Sequence, residues 1–217
     1  MDNFPSGYRA SRSERFKREG VNLITGALGS ALVMIGIVAV MWAVEIIDYI
    51  SPADLDLYGI VAGDPDHLSG ILLAPFLHAG FAHLMANSLP LAILGFLAAI
   101  RGIGRFLAAS LIIILISGAG VWLTSDPRFV TVGASGLVFG YFGYVVARGL
   151  FDRRIFDIVV GIGVAIAYYS LVWGLFPNQE GISWQGHLFG LIGGVVAAWV
   201  LRRKRAVRGS DVRALGY

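Results

Sequence analysis

The chain has 217 residues, of which 57% are hydrophobic and only 14% are charged, and its mean hydropathy is +0.74. This composition excludes an ordinary soluble domain and indicates a polytopic membrane protein. There is no cysteine, so disulfides, thiolate metal sites and cysteine nucleophiles are excluded, and the net charge of +3 is too small to suggest nucleic-acid binding.

Six apolar runs approach the length needed to cross about 30 Å of hydrocarbon. They are residues 21–47, 83–100, 105–123, 136–150, 154–175 and 187–201. We therefore predict an all-α membrane protein, a six-helix bundle formed by residues 21–201. The fourth and sixth runs are short, and they are assigned from their position between polar loops. Residues 1–20 and 202–217 are interpreted as basic cytoplasmic tails.

Basic residues alternate with the predicted spans, and short cytoplasmic loops are enriched in lysine and arginine. Both tails are basic, and so are the second and fourth connections, which hold Arg101, Arg105, Arg153 and Arg154. The other connections contain Arg128 as their one basic residue. This pattern predicts both termini in the cytoplasm, in keeping with a bacterial plasma membrane. The long connection 48–82 includes an apolar stretch and is predicted to lie partly in the outer interface.

Strongly polar residues begin the second, fourth and sixth spans, which all run inward from the outer face. They are His83 and Asn87, Ser135, and His187. Polar groups are costly inside a membrane, so we expect these four to meet in its outer half. The fourth helix has about 14 residues after Ser135 and covers only about 21 Å, which places Ser135 roughly 10 Å below the outer surface.

Small residues offer a way to bring the serine and the histidine together, because membrane helices approach closely along such stripes. The sixth span carries His187, Gly190 and Gly194 on one face, and the fourth carries Gly136, Gly140 and Gly143 beside Ser135. If the stripes meet, a hydroxyl and an imidazole reach hydrogen-bonding distance, which is the minimum for acyl transfer. No carboxylate is placed to orient the histidine, so a dyad is the simpler hypothesis.

Two further groups suit an oxyanion. His83 and Asn87 are four residues apart and share a helix face. Both can donate to developing negative charge, together with the free backbone amides at the start of the fourth helix.

Other functions are weighed against this hypothesis. The chain lacks the His-Glu-x-x-His helix of metalloproteases, and its interior offers essentially Asp157 where an aspartyl protease needs two carboxylates. A haem or quinone carrier using His83 and His187 stays open, and so does a transporter, although no repeated half is evident. We predict no metal and no cofactor.

Three segments in order resemble the rhomboid family of intramembrane serine proteases, over about residues 71–200. Residues 78–87 resemble its His-x-x-x-Asn motif with the preceding His78, and residues 133–136 resemble Gly-x-Ser-Gly. Residues 186–190, with Gly194 beyond, resemble its His-x-x-Gly-x-x-x-Gly motif. The ordered set is specific although each motif alone is modest.

The resemblance implies that Ser135 attacks a peptide carbonyl, that His187 relays the proton, and that His83, Asn87 and the Ser135 amide line the oxyanion hole. Supporting roles would fall on Gly133, Gly136, Phe139, Gly190, Gly194 and His78. The implied partners are the bilayer and membrane-anchored protein substrates, which reach the site beside the fifth helix under a cap loop near 176–185. An inactive relative that binds membrane clients is the alternative.

The chain departs from the family pattern at three places. Phe139 stands where the family often has tyrosine under the histidine ring, and Gly186 stands where alanine commonly precedes that histidine. The Trp-Arg pair of the first external loop is missing. None of these changes removes a group needed for bond cleavage.

Overall fold

The computed structural model describes residues 12–177 and 181–203, with side chains from residue 24 onward. The predicted all-α membrane bundle is confirmed. Its helices are α1 (Arg12–Ile50), α2 (Gly70–Leu73), α3 (Phe81–Ala99), α4 (Ile103–Thr124), α5 (Ser135–Asp152), α6 (Ile155–Ala167) and α7 (Trp184–Val200). Most of each predicted tail, residues 1–11 and 204–217, lies outside the described residues.

Three described helices are long and apolar enough to cross a membrane, namely the Ile24–Ile50 part of α1, α3 and α4. A fourth candidate is α6 together with the 3-10 helix that follows it. The first helix begins at Arg12, nine residues before the predicted span, because its hydrogen-bond ladder continues into polar sequence that a hydropathy estimate excludes.

The short helix α5 lies at the centre of the bundle, and the short helix α7 packs against α5 and α4. Leu137, Val138, Tyr141, Tyr144 and Val145 of α5 are all at most 5% exposed. A helix surrounded by other helices has little contact with lipid, so it needs neither the length nor the uniform apolarity of a peripheral span. The short run of the fourth predicted span thus reflects its central place.

The connection between α1 and α3, which the sequence predicts to be the first external connection, packs onto the α4–α5 loop through a small antiparallel sheet. Strand β1 (Ile60–Val61) pairs with β2 (Val130–Thr131), with Ile60 opposite Thr131. The indole N–H of Trp122, on α4, donates to the carbonyl of Asp64 at 3.0 Å. These contacts fix the loop that leads into Ser135, and they do so without the Trp-Arg pair.

The fifth predicted span, 154–175, is not one straight helix. The α-helix ends at Ala167, Tyr168 leaves helical geometry, and a 3-10 helix runs over Tyr169–Leu175 at 63° to α6. The prediction of a continuous span was wrong here because hydropathy does not register a change of hydrogen-bond pattern within an apolar run.

A buried ion cluster holds the other end of this span. Asp157 is fully buried, and it accepts from Arg101 Nη2 at 2.6 Å and lies 3.4 Å from Arg148 Nε. Arg148 also donates to the carbonyl of Leu97 at 3.2 Å. The cluster therefore ties α6 to α3, to the α3–α4 connection and to α5. Asp157 therefore has a structural use in the bundle.

We expect Asp157→Asn to lower the free energy of unfolding by about 3–5 kcal/mol, because it leaves Arg101 and Arg148 without the carboxylate that pairs with them inside the bundle. Asp152→Asn is the matched control, since Asp152 accepts from the exposed backbone N–H of Arg203 at 3.0 Å and does not join the buried cluster. Its cost should stay below about 1 kcal/mol. Denaturant titration in detergent compares the two, and equal effects would contradict a structural role for the cluster.

Candidate active site

Ser135 is the first residue of α5, and the chain around it dictates that start. Gly133 has φ +116°, a conformation that favours glycine, and Ala134 is the N-cap. The Gly133 N–H donates to the carbonyl of Ala74 at 2.8 Å, so the turn is fixed to the first external connection. The amides of the first helical turn have no acceptor within the helix, and the N-terminus of a helix favours negative charge.

His187 lies in the first turn of α7. Ser183 caps this helix by accepting from the Gly186 N–H at 3.2 Å, so α7 begins three residues earlier than the predicted span. The His187 ring is stacked on Phe139, with centroids 4.0 Å apart and an angle of 8° between planes. Stacking therefore survives without a tyrosine hydroxyl. The imidazole Nδ1 donates to the carbonyl of Gly174 at 2.8 Å.

The small-residue stripes of α5 and α7 meet, as their spacing predicts. A Cβ added at Gly190 would overlap the carbonyl oxygen of Gly136, and one added at Gly194 would overlap that of Gly140. Ser117 of α4 donates to the Gly186 carbonyl at 2.9 Å and borders the same contact. Backbone-to-backbone packing thus sets α5 and α7 close together directly below Ser135 and His187.

One cavity, of about 680 Å³, is lined by all four polar residues predicted to converge. They are His83, Asn87, Ser135 and His187. Its rim is formed by the α4–α5 loop and by the segment that leads into α7, and includes the polar side chains Ser125, Asp126, Ser183 and Gln185. A cavity of this size with several polar side chains in its lining can hold water that hydrogen-bonds a hydroxyl.

His83 and Asn87 both face Gly133. A Cβ built on Gly133 would lie 2.8 Å from His83 Nε2 and 3.7 Å from Asn87 Nδ2. Asn87 is 7% exposed, and its buried Nδ2 finds no hydrogen-bond partner within the part of the chain that the structure describes. A buried donor without an acceptor is costly, and a developing oxyanion beside Ser135 would supply that acceptor.

His78 supports the serine from the external connection. It is 1% exposed, and its Nε2 accepts from the backbone N–H of Ala134 at 3.3 Å, which places it one residue before Ser135. Burial, reinforced by the neighbouring His83, lowers the pKa of His78 to about 4. A neutral ring keeps the Nε2 lone pair that this bond requires.

Two contacts at the site were not predicted. The Gly174 carbonyl lies beyond the helix break, and no spacing rule places it beside His187. Ser183 could have been found, because a serine just before an apolar run is an N-cap signal.

The structure also brings together the carboxylates of Asp48, Asp54 and Asp56 within 4.8 Å, outside the cavity. Catalysis without a metal ion stays a prediction.

Comparison with known proteins gives the family. The rhomboid domain profile matches residues 65–204. An uncharacterized protein of Mycobacterium tuberculosis is 41% identical over 189 residues, which are 82% of this chain and 79% of that protein. The Bacillus subtilis protein YdcA, provisionally named a rhomboid protease, is 32% identical over 63% of this chain and 69% of its own length.

The Bacillus subtilis rhomboid protease GluP is 35% identical over 138 residues, which cover 62% of this chain and 26% of GluP. Residues 65–204, which the rhomboid domain profile matches, include the residues that line the cavity and the helices α5 and α7. The chain is a multi-pass membrane protein that belongs to the rhomboid family of intramembrane proteases.

Proposed function

We propose that this protein is an intramembrane serine endopeptidase that cleaves transmembrane or membrane-anchored proteins near the outer face of the bilayer. Ser135 is the nucleophile and His187 is the general base. The observation that carries the proposal is the single cavity lined by a serine at a helix N-terminus, a histidine and two further donors. Together these groups meet the requirements of acyl transfer.

The hydrogen bond to Gly174 assigns the tautomer of the base. A carbonyl oxygen accepts and never donates, so Nδ1 of His187 carries the proton in this bond. Nε2 of the neutral ring then holds the lone pair. This nitrogen takes the proton from the Ser135 hydroxyl as its oxygen attacks the scissile carbonyl.

The oxyanion that forms is stabilised by Asn87, His83 and the Ser135 amide at the positive end of α5. His187 then gives its proton to the leaving amine, and an ester joins Ser135 to the substrate. Water from the cavity, deprotonated by the same Nε2, hydrolyses that ester and frees the serine. The steps need no group beyond these residues and water.

The test uses detergent-purified protein with a single-span substrate and a fluorophosphonate probe. We expect two substrate fragments, and we expect the probe to be bound at Ser135 when its site is mapped by mass spectrometry. Heat-denatured protein should show neither. An intact substrate that copurifies without fragments would favour the client-binding alternative, and an absorbance near the Soret band would favour haem binding through His83 and His187.

Asn87→Ala should lower kcat by about 100-fold to 1000-fold with little change in KM, because the lost donor acts on the transition state. Ser88→Ala is the matched control. Ser88 accepts from the Trp42 indole at 3.0 Å and donates to the Leu84 carbonyl, away from the cavity. Steady-state kinetics separate the two parameters. A raised KM at constant kcat would assign Asn87 to substrate binding instead.

We also propose that α3, α5 and α7 begin at the outer face, with the arginine-rich connections in the cytoplasm. The absence of native cysteine makes a labelling test direct. In intact cells, Arg128→Cys should react with a membrane-impermeant maleimide, and Arg154→Cys should react only after permeabilisation. The reverse labelling pattern would mean that α3, α5 and α7 begin at the cytoplasmic face.

A further inference from the structure

The carbonyl of Gly174 lies where a triad protease has a carboxylate. It accepts from His187 Nδ1 at 2.8 Å, and it belongs to the 3-10 helix after the break in the fifth span. His187 is 7% exposed and Gly174 is half-buried, so the bond lies at a partly buried edge of the site. The bond places the proton on the nitrogen that leaves Nε2 free to act as a base.

Two contacts together define the orientation of the His187 ring. Stacking on Phe139 fixes the plane of the His187 imidazole, but a rotation of the ring by 180° would preserve a stacked pair. The bond to Gly174 distinguishes the two orientations, because only one of them points Nδ1 at the carbonyl. Phe139 and Gly174 therefore have separate tasks, one for the plane and one for the choice of nitrogen.

We propose that the Gly174 carbonyl is the positioning group of the dyad, so that the bent outer part of the fifth span determines whether His187 is competent as a base. This inference rests on the proposed function. A neutral carbonyl orients the imidazole without burying a charge in the membrane domain, where an unpaired carboxylate would be costly. It also accounts for a base that has no carboxylate partner among the residues that the structure describes.

The contact between the residue 174 carbonyl and the His187 ring requires glycine at position 174. A Cβ on Gly174 would lie 2.9 Å from Phe139 Cζ and 3.0 Å from His187 Nδ1. Any larger residue would therefore push the 3-10 segment away from the ring or push the ring away from its orientation. The close approach of the carbonyl to the imidazole depends on the missing side chain.

The first test is Gly174→Ala, with Gly163→Ala in the same span as the matched control, because a Cβ at Gly163 meets nothing within 4 Å. We expect Gly174→Ala to lower kcat by about tenfold to a hundredfold, since small displacements of a catalytic group have effects of that order. KM should change little. Gly163→Ala should keep the wild-type kcat. Equal kcat values in the two variants would overturn the proposal.

A second test weakens the hydrogen bond without adding bulk. Replacing Leu175 by its α-hydroxy acid turns the Gly174 carbonyl into an ester carbonyl, which is a poorer acceptor. The same replacement at Leu171, whose N–H donates to the Tyr168 carbonyl at 3.0 Å, removes an equivalent backbone donor from the same segment. We expect kcat to fall at least fivefold in the Leu175 ester and less than twofold in the Leu171 ester.

Nitrogen NMR of ¹⁵N-histidine-labelled protein reads the tautomer without reference to activity. Signals of His187 are assigned by their loss in His187→Ala. In the wild type, Nδ1 should be protonated and Nε2 should not, and the Leu175 ester should give a mixture of tautomers. A wild type protonated at Nε2, or an ester variant with an unchanged spectrum, would overturn the proposal. An inactive protein with the expected spectra would instead reject the proposed function alone.

Discussion

Ser135→Ala and His187→Ala should each reduce cleavage on the order of 10⁴-fold or more, and the double variant should be no slower than either single one. Residues that act as one unit in proton transfer show this strong non-additivity, because either loss removes the same step. The measurement is a double-mutant cycle on kcat/KM with a single-span substrate. Both residues line the same cavity, which is the structural basis of the expectation.

Ser30→Ala is the control for general effects of removing a buried hydroxyl. Ser30 is 1% exposed, and its side chain donates to the Gly26 carbonyl within α1, remote from the cavity lining. Its cleavage rate should match the wild type. If the effects of the Ser135 and His187 replacements multiply in the double variant, the two residues act in separate steps. Undiminished cleavage in either single variant would contradict the proposed dyad.

Sequence alone predicted those features that depend on regular periodicity. The apolar runs located the helices because each side chain facing lipid or core must be apolar whatever its neighbours are. The polar residues at the starts of three spans could be grouped because an intramembrane polar group requires an explanation. The stripe from Gly136 to Gly143 could be matched with Gly190 and Gly194 because both follow helical spacing.

Features that depend on three-dimensional contact could not be predicted in the same way. Tyr168 ends α6 inside the predicted apolar run, and a change from α-helical to 3-10 hydrogen bonding has no hydropathy signature of its own. The Gly174 carbonyl is a backbone group, and every residue offers one. Asp157 was predicted only as an isolated interior carboxylate, because its partners Arg101 and Arg148 are 56 and 9 residues away in the chain and meet it through helix packing.

Helix packing beneath the dyad leads to the second large effect, which is expected for Gly194→Ala. Alanine within a helix is normally about 1 kcal/mol more favourable than glycine, so replacing glycine by alanine stabilises a helix wherever the added Cβ has space. At Gly194 the added Cβ would overlap the Gly140 carbonyl and lie 2.8 Å from the backbone nitrogen of Tyr144. Backbone atoms cannot yield as a flexible side chain can, so α5 and α7 must separate.

That separation would move Ser135 and His187 apart, because each residue lies at the top of one of the two helices. We expect cleavage to fall about 100-fold or more and the free energy of unfolding to fall by about 1–3 kcal/mol. Gly36→Ala, on α1 where a Cβ meets nothing within 4 Å, should leave cleavage unchanged and should not destabilise the protein. If Gly194→Ala behaves like Gly36→Ala in both assays, then close backbone packing is not what brings the nucleophile to its base.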